Sequence, residues 1–106
     1  DPIFELSDIA ADMRNAKTVS GTKSEVDEFL KVADNYFHEI CKKEEYYYFY
    51  PLSMQLQQVA FGDAKNENIS GQELNEVREY YHNQMKEKYP ALENLLFTGK
   101  GDCSLK

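Results

Sequence analysis

The stretch SEVDEFLKVADNYFHEIC, residues 24–41, carries the clearest helical pattern of the chain. Ser24 is a residue type that caps helices, and Glu25 and Asp27 occupy the first turn, where the helix dipole favours negative charge. The apolar residues recur every three or four positions, which places them on one face of a helix that we expect to be buried. That face comprises Val26, Phe29, Leu30, Ala33, Phe37, Ile40 and Cys41.

Five consecutive aromatic residues follow in the segment YYYFYPL, residues 46–52. If the second helix continues into this segment, Pro51 ends it; aromatic runs are also typical of strands. On a helix the five rings cannot all face one core, so at least two are exposed or meet a partner. The candidate partner-binding residues are therefore Tyr46, Tyr47, Tyr48, Phe49 and Tyr50, the alternative being a crowded helix end beneath neighbouring helices.

Helical spacing extends to both sides of this region. A first helix is predicted from Asp1–Pro2, with Leu6, Ile9, Ala10 and Met13 on one stripe, and the segment KTVSGTK, residues 17–23, breaks it. A third helix is predicted from about Leu52 to Phe61.

The C-terminal third predicts two more helices. Ser70 with Glu73 forms a capping-box pattern at the start of the fourth helix, which ends at Tyr89–Pro90, and a short fifth helix runs from Pro90 to Phe97. The sequence therefore predicts an all-α bundle of about five helices in one domain, residues 1–106. The expected shared core is Phe29, Leu30, Phe37, Ile40, Leu56, Val59, Leu74, Val77, Tyr81 and Leu95.

Composition limits the classes of partner. The chain has 106 residues, 42% hydrophobic and 29% charged, with a formal net charge of −7. Such a charge repels phosphate backbones, so nucleic acid is not expected as a partner, whereas a cation or a basic protein is compatible with it. No apolar run approaches the roughly 20 residues that cross a bilayer, so no transmembrane segment is expected.

Two cysteines, Cys41 and Cys103, allow either one disulfide in an oxidising compartment or two free thiols in the cytosol. The sequence leaves both alternatives open, and with them the choice between a secreted and a cytoplasmic protein.

The segment FGDAKNENISGQELNEV, residues 61–77, has the outline of a calcium-binding helix–loop–helix. With Ile69 at the eighth loop position, Glu73 falls on the twelfth, where a bidentate ligand is required. On these residues the chain resembles a degenerate EF-hand over residues 52–106. Gly62 and Ala64 occupy ligand positions without offering side-chain oxygen, so no tight metal site is expected, and the weak metal candidates are Asn66, Glu73 and Asp63.

Asp63 would lead the first loop only in a register shifted by one, in which Glu73 no longer occupies the twelfth position.

A second segment supports the same resemblance. The C-terminal segment LLFTGKGDCSLK reads as another such loop, with Leu105 thirty-six residues after Ile69, a spacing similar to that of paired EF-hands. The chain stops at Lys106, before an exiting helix, so this segment is either part of a shortened chain or a tail. The resemblance implies a paired helix–loop–helix domain with lost or weak Ca²⁺ binding, no other cofactor, and a retained protein-binding role.

Catalytic motifs are not recognised. The helix HEICK, residues 38–42, begins like a zinc-protease helix, but Lys42 stands where the second histidine is required. We therefore expect a non-enzymatic interaction module that holds an amphipathic helix or a basic surface in an apolar groove. The alternatives are a small secreted helical carrier of an apolar ligand, linked by Cys41–Cys103, and an acidic inhibitor or immunity-type protein.

Overall fold

The computed structural model describes residues 1–61 and 66–105 and confirms the predicted all-α bundle of five helices. The helices are α1 (Pro2–Asn15), α2 (Val19–Lys43), α3 (Phe49–Phe61), α4 (Gly71–Lys88) and α5 (Pro90–Thr98), with a turn of 3-10 helix at Tyr46–Tyr48 between α2 and α3. The described residues form no β-strand. Within the same two ranges, each helix is too short or too polar to cross a membrane.

The core lies around α2 and α3, each of which packs against the other four helices. The apolar stripe predicted for α1 is buried, as is the one predicted for α2. Tyr81 is also buried, and its hydroxyl donates to the carbonyl oxygen of Leu56 at 3.0 Å, which satisfies the phenol inside the core. Leu74 was predicted to join this core but is only half-buried, at the margin of the core beside Val77.

Thr18, and not the predicted Ser24, caps the N-terminus of α2. Its Oγ1 accepts a hydrogen bond from the Gly21 amide at 2.9 Å, and the buried Thr22 hydroxyl donates to the Thr18 carbonyl at 2.8 Å. The first of these bonds satisfies the Gly21 amide, which the first turn of a helix leaves without an intrahelical partner. The interruption between α1 and α2 is therefore limited to residues 16–18.

The C-terminal end of α2 also differs from the prediction that the helix continues into the aromatic segment. Glu44 adopts a left-handed conformation with φ 56°, so the helix stops before the aromatic segment. The Glu44 amide donates to the Cys41 carbonyl at 3.3 Å, and the Glu45 amide donates to the Ile40 carbonyl at 3.1 Å. These bonds close the C-terminal carbonyls in the way that left-handed caps do.

Pro51 does not end a helix. It lies in the first turn of α3, where its missing N–H is not needed for an intrahelical bond. α3 therefore starts at Phe49 and not at Leu52, and the aromatic segment forms a tight turn and a new helix start.

Candidate binding groove

An open groove lies between the aromatic segment and the chain that follows α5. It has a volume of about 520 Å³. The lining residues are Tyr46, Tyr47, Phe49, Tyr50, Gly99, Lys100, Gly101, Asp102 and Cys103. Two segments half a chain apart thus form one concave surface, with aromatic rings on one side and a polar loop on the other.

Phe49 forms the floor of this groove. It is only 7% exposed, and its ring centroid lies 4.8 Å from that of Phe37 in the core. On the other side, the backbone of Gly101 packs directly against the Phe49 ring. Phe49 was a candidate contact for a partner, but its burial makes it a support for its neighbours.

The tyrosines around the floor are far more accessible. Tyr46, Tyr47 and Tyr50 are 52%, 69% and 72% exposed. Tyr46 stacks on Phe49 with centroids 6.0 Å apart and an interplanar angle of 18°, so its ring is held in place while one side faces water. The structure thus brings four of the five candidates together in one groove, three of them exposed and Phe49 as the floor.

Tyr48 has a different position. It is 38% exposed, and its ring lies 6.2 Å from that of Tyr36 on α2 and 4.5 Å from that of Tyr47. Together with Tyr36 it lines a separate small hollow beside Glu45. Tyr48 therefore anchors the 3-10 turn to α2 and does not line the groove.

The polar wall is the segment after α5, residues 99–103. α5 ends at Gly99, whose φ of 72° lies in the left-handed region that favours glycine. The side chains of Asn94 and Thr98 each donate to the Lys100 carbonyl, at 3.1 Å in both cases. These bonds turn the chain back towards α2.

A disulfide between Cys41 and Cys103 fastens this wall to α2. The two Cα atoms are 5.7 Å apart, and both cysteines in the chain are used in the bond. Of the two alternatives that the sequence allowed, the structure therefore contains the disulfide. Cys41 comes from the buried face of α2, so the wall is joined to the core.

Charge in the groove lining is balanced between Asp102 and Lys100, and the carboxylate of Glu45 lies next to it. The Ser104 hydroxyl and amide donate to Asp102 Oδ1 at 2.6 and 3.0 Å, and these bonds lower the pKa of the Asp102 carboxyl, which stays ionised at neutral pH. Tyr47 donates to Glu45 at 3.4 Å; partial loss of hydration, followed by the charge of Glu45, raises the pKa of its phenol. Tyr47 is therefore a neutral hydrogen-bond donor. Lys100 is the cation in the lining.

The sequence pattern predicts the aromatic side of the groove but not its wall. It places Gly99, Lys100, Gly101 and Asp102 in a polar tail or a second calcium-like loop. The glycines and Cys103 were the available signal, because a glycine-containing segment linked by a disulfide has to pack against another part of the chain. The partner of Gly101 was not recognisable, since it lies half a chain away.

The metal candidate Asn66 has a structural role. Its side chain is 6% exposed; Nδ2 donates to the carbonyls of Met13 at 2.8 Å and Ala16 at 2.7 Å, and Oδ1 accepts from the Asn68 amide at 2.8 Å. The only side-chain oxygen it could offer a cation is thus used inside the protein. Asn66 thus links the segment that precedes α4 to the C-terminal end of α1 by hydrogen bonds.

Glu73 is engaged in the predicted capping box. Its Oε1 accepts from the Ser70 amide at 2.8 Å, and the Ser70 hydroxyl accepts from the Glu73 amide at 3.1 Å. These contacts lower the pKa of the Glu73 carboxyl. Asp63, the third metal candidate, lies outside the described residues. Within residues 1–61 and 66–105, no group of three or more His, Cys, Asp and Glu side chains is arranged to hold a metal ion.

Comparison of the chain with protein-family models, with curated proteins and with solved structures finds no significant match.

Proposed function

We propose that this protein is a non-catalytic interaction module that binds a basic segment of a partner protein in the groove of Tyr46, Tyr47 and Tyr50. The observation that carries the proposal is the exposure of three tyrosines around one open groove with a buried floor. Tyrosine is enriched among the residues that dominate binding energy at protein interfaces. A ring held by stacking, as Tyr46 is by Phe49, loses little conformational entropy on binding.

A basic partner is favoured by charge. The chain carries a net charge of −7, and Glu45, which bonds to Tyr47, adds a carboxylate next to a lining in which Asp102 and Lys100 balance. Guanidinium and ammonium groups bind the faces of tyrosine rings and gain further from a nearby carboxylate. A segment with arginine or lysine beside apolar residues therefore matches both sides of the groove.

The alternative of an apolar-ligand carrier has less support. A carrier needs an apolar cavity that encloses its ligand, whereas the groove is open to solvent along its length. The interior pocket beside Tyr81 and Met13 has a volume of only about 10 Å³, which is close to the limit for one water molecule. The disulfide is compatible with secretion, and an interaction module can be secreted equally well.

The segment that resembles an EF-hand is proposed to have a structural role and not to bind Ca²⁺ tightly. We assign the α3–α4 connection a structural role, in which Asn66 and the capping box set the direction of α4. Any affinity for Ca²⁺ is then in the millimolar range, because both described candidate ligands are already engaged.

Isothermal titration calorimetry with a synthetic amphipathic peptide of leucine and arginine tests the function. Saturable binding is expected, and binding of a leucine–glutamate peptide of the same length is expected to be at least tenfold weaker. Replacement of Tyr47 by alanine should weaken binding of the basic peptide by roughly 5- to 30-fold, the range typical of important interface residues.

Phe4→Ala is the matched control. Phe4 is 71% exposed on α1 and is not among the residues that line the groove. The Phe4→Ala variant should bind the basic peptide with the affinity of the unmodified chain. Equal affinities for the two peptides, or equal losses in the two variants, would refute the proposed site.

A further inference from the structure

The outer face of α3 is uncharged. No charged residue occurs from Tyr46 to Phe61, although 29% of the chain is charged. While α3 buries its inner face, Tyr50, Met54 and Phe61 remain 72%, 40% and 70% exposed. We call these three residues with Gln57 and Gln58 the outer face. It extends over about 17 Å, at 1.5 Å per residue.

The outer face contains both a hollow and a projecting side chain. Met54, Gln57, Gln58 and Phe61 surround an open hollow of about 240 Å³. Their spacing, i, i+3, i+4 and i+7, is that of the four residues that receive a knob from a facing helix in knobs-into-holes packing. Tyr50, one turn before the hollow, is the most exposed side chain of the face.

We propose that the outer face binds the same face of a second copy of this chain, in an antiparallel two-fold dimer. Tyr50 of each copy enters the hollow of the other, and Met54 lies near the two-fold axis. A two-fold interface uses one surface twice, so this surface must be complementary to itself. The outer face meets this requirement, because it presents the knob and the hole together, and because glutamine amides donate and accept hydrogen bonds.

Charge favours a second copy over a foreign basic partner at this face. Two copies carry −7 each and repel one another through most of their surfaces. The outer face itself brings no charged side chain of one copy against the other. Tyr50 also lines the groove, so a dimer and a groove-bound basic segment compete for this one residue. The rest of the outer face contains no carboxylate that would attract a basic partner.

The available area sets the strength of the dimer. At about 150–250 Å² for each large side chain, the exposed fractions give roughly 350 Å² of apolar surface per copy. A standard interface buries about 800 Å² per partner, so the outer face supplies a little under half of it, the remainder coming from surrounding polar groups. An interface with so small an apolar area is at the low end for specific complexes, so the dimer is expected to be reversible.

Sedimentation equilibrium of the full chain, from about 1 µM to 1 mM, tests association. A shift from monomer to dimer is expected, and Met54→Glu should weaken association at least 30-fold. Phe4→Glu adds the same charge at an exposed aromatic of another helix and should leave association unchanged. A chain that stays monomeric at 1 mM, or equal weakening in both variants, overturns the proposal.

Cysteine cross-linking tests the antiparallel two-fold arrangement of the dimer without introducing a charge into the outer face. A cysteine at position 54 lies near the axis and should form a covalent dimer on mild oxidation. At position 58 the two copies of the residue are about 13 Å apart along the helices, which exceeds the reach of a disulfide. Peptide mapping must show the Cys41–Cys103 bond intact in both variants. Cross-linking of Gln58→Cys as fast as that of Met54→Cys overturns the two-fold arrangement.

Discussion

The backbone of Gly101 packs against the ring of Phe49 so closely that a Cβ at position 101 would overlap the ring. The ring has no room to move, because Phe37 lies on its core side and Tyr46 stacks on it. This contact joins the polar wall of the groove to its floor, and it makes glycine the required residue at position 101.

Gly101→Ala should therefore destabilise the protein by about 1–3 kcal/mol, the usual cost of an extra group in a packed site. The midpoint of urea unfolding measures this. Gly71→Ala is the control, since a Cβ there meets no atom within 4 Å and the position is helical. It should be neutral or slightly stabilising. Similar losses in both variants would show that the Phe49 contact is not the cause.

The disulfide should protect both cysteines and stabilise the fold. Alkylation of the unreduced chain is expected to label neither Cys41 nor Cys103, as read by mass spectrometry. The double replacement by serine should cost about 2–4 kcal/mol, because the bond closes a loop across a sequence separation of 62. Labelling of two thiols in the natively purified chain would contradict the pairing and remove the support of the groove wall.

Asn66→Ala should cost about 1–3 kcal/mol. It removes the donors to the carbonyls of Met13 and Ala16 and leaves at least one of them buried without a partner. Asn68→Ala is a milder change, since its bonds to Asn15 and Ala16 are exposed and 3.3 Å long. Thermal unfolding of both variants gives the comparison, and a larger loss for Asn68→Ala would be inconsistent with the role assigned to Asn66.

The capping box of α4 should make stability depend on pH. Ser70→Ala is expected to cost about 1 kcal/mol at neutral pH. The folded-state pKa of Glu73 is lowered, so its carboxylate stabilises the fold above its unfolded pKa, and this contribution is lost as the pH falls through the folded value. Glu73→Gln, which cannot titrate, should differ from the unmodified chain at pH 7 and converge with it in acid. A difference that persists in acid would point to another cause.

Calcium titration should detect no micromolar binding. In calorimetry with Ca²⁺ the expected signal is absent or corresponds to a millimolar constant, because Asn66 Oδ1 and Glu73 Oε1 already accept backbone hydrogen bonds. An enthalpically clear micromolar event that disappears in Glu73→Gln would identify a working site and displace the structural role proposed for this connection.

Local patterns in the sequence determined the helices and most of the core. The four- and three-residue spacing of Phe29, Ala33, Phe37 and Ile40 places them on one apolar face. Burial of that face is favoured whatever element packs against it. The capping box at Ser70 is likewise local, since its bonds join residues three positions apart. Such features are readable without knowledge of the fold.

Only the tertiary structure decided which rings of the aromatic segment are buried and what they face. Five adjacent aromatics carry no periodic signal, and the choice depends on the left-handed turn at Glu44, which moves the start of α3 to Phe49. The groove and its wall follow from that turn, because it places Phe49 where Gly101 can reach it. Contacts between residues so distant in sequence leave no local pattern, and for that reason the site required the structure.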